Sequence, residues 1–235
     1  MRRRSASGRA RRVVPVLGLV IVLLAVFTPV SALAAAPARS QPAPVPSATP
    51  LLIGRAQLGS GWAVSAPALT RVPQISCHAL PAALASARRR AAAGATFAPA
   101  SAGPYVQQTV YRWASAATAT AVWRRVARPA LLGCLAQSLV KGGSSGVSFT
   151  VTGRHQITAP HLAVGIRAYR VLATATIGGQ GFPAYLDELV INTGGSVSEV
   201  SVASYEQPPP AAVERRVASA IARRASAVNR RSAAR

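Results

Sequence analysis

Apart from three histidines, the carboxylates available for acid–base chemistry in this 235-residue chain are Asp187, Glu188, Glu199, Glu206 and Glu214. Hydrolysis by general acid–base catalysis needs two such groups facing one substrate. Asp187 and Glu188 are neighbours in "AYLDELVI", which reads as a strand, so their side chains point to opposite faces and cannot share a substrate. Asp187 shares its face with Tyr185 and Leu189. It reads either as a lone site acid or as a carboxylate answering one of the many arginines. His155 and His161 flank "QITAP", and His78 adjoins Cys77, without the Cys-x-x-Cys or His-x-x-x-His companions of a zinc site. Exposed loop histidines are the expectation. "GGSSGVS" lacks the strand-to-helix elbow of a nucleophilic serine. "TIGGQGF" lacks the Lys-Ser/Thr of a phosphate-gripping loop and reads as a turn between strands. No catalytic, metal-binding or cofactor-binding residue is assigned, and no cofactor is expected. The residues that could line a ligand cleft are Trp62, Tyr111, Trp113, Tyr169 and Tyr185, with Asp187; aromatics at alternating strand positions equally suit a core.

The elements that position these residues alternate along the chain. "LLIGRAQLGSGWAVSAP" opens as a short helical turn, breaks at Gly59 to Gly61 and resumes at Trp62 as a short strand. "CHALPAALASARRRAAA", Cys77 to Ala93, is alanine-rich and helix-prone, with Pro81 in its first turn. "YVQQTVYRWA" reads as a strand with Tyr105, Thr109, Tyr111 and Trp113 on one side. Ser115 caps a helix that runs to about Arg128, and Pro129 opens a second helix or a kink that reaches Leu139. Strands follow at Val147 to Val151, Val164 to Ile177 and Ala184 to Ile191. Gly194-Gly195 then supply the positive backbone angles of a tight hairpin into "SVSEVSVASY". "AAVERRVASAIARRASAVNRR" closes as a helix with Val213, Val217, Ile221 and Val228 on one stripe. That stripe suits docking on the sheet; the alternative, an arginine-rich face lying on anionic lipid, lacks Trp or Phe. The residues beyond Asn229 are expected to fray. The fold class is α+β, an antiparallel sheet of about five to six strands flanked by helices.

Residues 2 to 12 hold six arginines and no acid, and no charge follows from Val13 to Ala36. That is the pattern of a signal peptide, with cleavage expected after Ala34; the alternative is an uncleaved single-pass anchor with the domain outside. Residues 1–34 are assigned to this leader, 35–50 to a Pro/Ala-rich linker, 51–229 to a single α+β domain and 230–235 to a basic tail. The product is secreted or held in the cell envelope. Its formal net charge is +22, and 26 of its 27 basic residues are arginine. An anionic cell-wall polymer, a lipid headgroup or a small ligand is the expected partner. Nucleic acid ranks far behind, because an exported protein meets little of it. An exported chain with two cysteines is expected to join Cys77 to Cys134 in a disulfide. Cys134, in "RPALLGCLAQSL", falls on the helix face of Val126 and Ala130 and points inward.

"LGSGW" near the domain start, "QQTVYRWASAATATAVWRRV" as strand then helix, and "LLGC" at the helix end carry a resemblance. In that order of elements, the stretch from Leu51 to Arg224 resembles the extracellular sensor domains of actinobacterial serine/threonine kinases and their stand-alone secreted relatives. The resemblance implies a twisted antiparallel sheet flanked by helices around a ligand cleft. Those domains usually carry two disulfides, whereas two cysteines allow one here. No kinase signature is present. The leading expectation is a non-catalytic binding or sensor-like domain that engages an envelope component or a small ligand. The alternatives are a secreted hydrolase or transferase with a scattered site, using Asp187 and a histidine, and a structural wall-associated protein.

Overall fold

The computed structural model describes residues 44–64, 91–99, 104–143, 146–162 and 165–233. The leader, Cys77, His78 and the helix expected from Pro81 lie outside these residues. The described strands are β1 (Trp62–Val64), β2 (Ala91–Pro99), β3 (Tyr105–Arg112), β4 (Val147–Ile157), β5 (Gly165–Ile177), β6 (Gln180–Asn192) and β7 (Ser196–Tyr205). They form one seven-stranded sheet in the order β1-β2-β3-β7-β6-β5-β4, and every pairing is antiparallel. With helices α1 (Arg55–Leu58), α2 (Ala116–Val126), α3 (Ala130–Lys141) and α4 (Ala211–Ala233), the class is α+β as expected. The sheet is wider than the five or six strands read from the sequence. The added strand is β2, which takes in Ala91–Ala93, the end of the stretch expected to be helical. Alanine favours a helix by tenths of a kilocalorie per residue, and pairing of Ala91 to Phe97 along β3 overrides that preference.

Both tight hairpins are set by glycine. Gly178 and Gly179 have φ of 58° and 81° between β5 and β6, the paired positive angles of a type I′ turn. Between β6 and β7, Thr193 N–H donates to Ser196 O at 3.0 Å, and of the two central residues Gly194 alone has a positive φ, 88°. A turn of the II′ kind needs left-handed backbone at its first central residue only, so Gly195 sits in ordinary space, unlike the expectation for both glycines.

Alternation along the strands sends side chains to two faces. On one face α2 and α3 cover Val171, Ala173, Leu186, Val190 and Val197. On the other α4 covers Ala168, Leu189, Ile191, Val200 and Val202. Ser115 caps α2 by accepting from Thr118 N–H at 3.1 Å, and Pro129 starts α3 as a separate helix. The closing helix docks on the sheet through Val217, Ala218, Ala220, Ile221 and Ala225. It continues to Ala233, through the region expected to fray.

The domain also begins before Leu51. Ala48, assigned to the linker, is buried with Leu51, Val110 and Ala225. A strap from Ser47 to Leu58 is tied down by polar bonds. Arg112 Nη1 donates to Ser47 O at 3.1 Å, and Gln108 Oε1 accepts from Ile53 N–H at 2.8 Å. From α4, Arg224 Nε donates to Pro50 O and Arg216 Nη1 to Leu58 O, both at 2.7 Å.

Ile221, buried on the face of α4 that docks on the sheet, should be far more sensitive than Val140, which is 52% exposed on α3. In urea denaturation Ile221→Ala should lose about 2–5 kcal/mol, while Val140→Ala should stay within about 0.5 kcal/mol of the parent.

Candidate functional site

Strand β6 has no solvent face from Leu186 to Ile191, yet it carries two adjacent acids. Asp187 points toward α4. Arg170 Nε donates to its Oδ1 at 2.6 Å and Nη2 to its Oδ2 at 2.5 Å, a bidentate fork that matches guanidinium to carboxylate. Glu214, in the first turn of α4, lies with Oε1 3.9 Å from Arg170 Nη2. Burial, and then the neighbouring Asp187, push the Glu214 carboxyl up to about 8 against the pull of Arg170. This cluster reads as a pin between helix and sheet. Asp187 is therefore the carboxylate answering an arginine, one of its two sequence readings.

Glu188 points the other way, toward α2 and α3, and Ser201 Oγ donates to its Oε2 at 2.6 Å. The β6–β7 register places Ser201 opposite Glu188 and Glu199 opposite Val190, so Glu188 and Glu199 are diagonal neighbours on one face. Burial raises Glu188 to about 7, opposed by the Ser201 bond. Burial and the charge of Glu188 raise Glu199 well above the ordinary carboxylate range. Two carboxyls that are diagonal neighbours on one buried face oppose each other's ionisation. Gln107 and Thr109 of β3 continue the same rows across β7. Tyr169 of β5 stands opposite Glu188. The result is a polar floor in an otherwise apolar face. Two buried donors on this face, Tyr169 Oη and Trp113 Nε1, have no hydrogen-bond partner among the described residues.

The expected cleft residues divide between the faces. Tyr111, Trp113 and Tyr169 border the polar floor, and the Tyr111 and Trp113 rings lie tilted with centroids 6.4 Å apart. Trp62 packs with the core on the α4 side, and Tyr185 and Asp187 also face that side. No single cleft gathers all six. The pairing of Glu188 with Glu199 was missed because attention to acids adjacent in sequence passes over acids adjacent in register. His155 is exposed on strand β4 rather than in a loop, with His161 exposed in the turn that follows. His155 stands opposite Arg170 on β5, a full strand away from Asp187 on β6. Among the described residues no group of three His, Cys, Asp or Glu side chains could hold a metal ion, and no helix is long and apolar enough to cross a membrane. Cys134 packs half-buried against the core, whereas Ala130, expected on the same inward face, is exposed.

No protein-family model matches the chain, and no curated protein matches it. Among solved structures it is similar to the extracellular domain of PknH from Mycobacterium tuberculosis. The two are 13% identical, the match covers 76% of this chain and 94% of that one, and the TM-score is 0.41.

Glu188 and Glu214 have folded-state values of about 7 and about 8 against an ordinary 4.5, and Glu199 is raised as well. A raised carboxyl leaves the folded state fully favoured below the unfolded value, and stability drains away as pH climbs through the folded value. The melting temperature should therefore fall between about pH 4.5 and pH 8, and Glu188→Gln or Glu214→Gln should each flatten that fall.

Proposed function

We propose that this chain is an exported, non-catalytic binding or sensor-like domain that takes a small ligand or part of an envelope component on the Glu188–Glu199 floor. One observation carries the reading. Two inward carboxyls stand on the same face as two buried donors, Tyr169 Oη and Trp113 Nε1, that find no partner among the described residues. Buried polar groups are almost always satisfied by protein, water or ligand, so a polar guest explains what the fold leaves open. Export is supported by the arginine-led apolar leader and the proline-rich stretch behind it. The Cys77–Cys134 disulfide belongs to the same reading, since these are the chain's two cysteines. It closes a loop of about 58 residues, worth on the order of 4 kcal/mol in the chain-entropy model.

Thermal-shift screening of the intact chain against wall polymers, lipids and small metabolites should return a stabilising ligand. Saturation at a hundredfold excess over Kd is worth about 2.7 kcal/mol. Glu188→Gln and Tyr169→Phe should erase that shift while leaving the unliganded protein folded; no shift with any compound overturns the proposal. A second reading is favoured by the shared face of Glu188 and Glu199, which suits acid–base hydrolysis. Turnover of a wall polymer that disappears in both Glu188→Gln and Glu199→Gln would replace binding with catalysis. For the disulfide, reductant should lower the melting temperature and Cys134→Ala should do so to a similar extent. Titration of two free thiols in the native secreted protein would remove it.

A further inference from the structure

Strand β4 changes face part-way along its length. Val147, Phe149 and Val151 pack toward α2 and α3, and the register with β5 then shifts between Val151 and Gly153. A bulge of this kind inserts one residue and re-aims everything after it. Past it, Arg154 stands opposite Val171 and Gln156 opposite Tyr169, partners that face α2 and α3. The Arg154 guanidinium rests against α3 at Gly133, where an added methyl would lie 3.6 Å from Nη1.

A second arginine is fixed on the same face. The Arg167 guanidinium lies over the Trp123 ring, 5.7 Å from its centroid. The ring is itself anchored, because Trp123 Nε1 donates to Val190 O at 3.0 Å and Gly165 leaves room for it: a methyl on that glycine would meet the ring at 3.2 Å. Stacking on an aromatic face holds a guanidinium in place and leaves its edge open to hydrogen bonds; one edge donor of Arg167, Nη1, bonds Ile166 O at 3.3 Å. Beside Arg167 opens a basin of about 570 Å³ whose lining includes Gln156, Thr158 and His161 and no acid. Tyr169, whose buried hydroxyl lacks a partner, lies between the two arginines along β5. Arg170, on the opposite face, pairs with Asp187 and lies near Glu214, whereas Arg154 and Arg167 have no carboxylate partner among the described residues.

We propose that this corner, from Arg154 across Gln156 and Tyr169 to the Arg167 basin, binds an extended polymer that carries oxyanions at intervals. Four residues of β5 separate Val171, opposite Arg154, from Arg167, or about 13 Å of strand. That gap is wider than one phosphate or carboxylate, and it suits a chain with repeated charges. The groove meets the Glu188–Glu199 floor at Tyr169, which stands opposite Glu188, while Arg154 and Arg167 belong to the groove alone.

The test titrates the intact chain with sodium polyphosphate by calorimetry at several salt concentrations, beside inorganic phosphate and vesicles of phosphatidylglycerol with phosphatidylcholine. Polyphosphate should bind and inorganic phosphate should not compete at equal phosphorus. Arg154→Gln and Arg167→Gln should each weaken binding about tenfold and reduce the salt slope by about one, as loss of a fixed contact does. Arg223→Gln, exposed on α4 at the other face, should change neither. Equal weakening by all three variants would mean diffuse surface charge and overturn the proposal. Vesicle binding without polyphosphate binding would assign the corner to a lipid surface and overturn it as well.

Discussion

Asp187 is fully buried at the centre of the sheet, and its two short bonds to Arg170 are what make that burial tolerable. An isolated carboxylate in such a place would neutralise or unfold its surroundings. Because the pair spans β5 and β6 and meets Glu214 at the head of α4, it ties the register of two strands to the seating of the long helix. Removing one partner would strand a charge between layers, which is far worse than losing a contact at the surface. The helix stripe of Val217 and Ile221 then has one place to dock.

The same alternation that commits Asp187 to α4 commits Glu188 to the other face. Four of the chain's five acids are thereby drawn into the sheet or its helix interface, and Glu206 alone is exposed. Arg112 and Arg170 apart, most of the described basic residues stay at the surface, so the exposed charge there is mostly positive. An arginine-rich composition by itself says little about binding. The segregation says more: the surface has few internal carboxylates to neutralise it, while the polar floor is acidic and cut off from that surface field.

Much of the fold was legible because local chemistry and tertiary structure agree. Ser115, Pro129, the two glycine hairpins and the valine stripe of α4 each specify an element with little help from elsewhere. The sequence misled where pairing overrides propensity, as in the alanines of β2, and where residue parity had to be carried across strands. The hairpin at Gly194 was readable, and counting back from it sets Glu188 beside Ser201 and one diagonal from Glu199. The candidate site was thus implicit in the turn, but grouping acids by adjacency hides it. The reversal of β4 had a single local signal, Gly153 inside an alternating run, which is the usual mark of a bulge. The split of the aromatic residues between faces had none, since it depends on how seven strands are ordered.

The strap from Ser47 to Leu58 gives the domain a mechanical character. Its bonds to Arg112, Arg216 and Arg224 reach both β3 and α4. Tension on the chain ahead of Ser47 therefore loads β3 and the closing helix together through these bonds. Such a joint resists a steady pull, and when it gives way it uncovers Ala225 and Val110, so force at one end of the domain would be felt as exposure of apolar surface at its back.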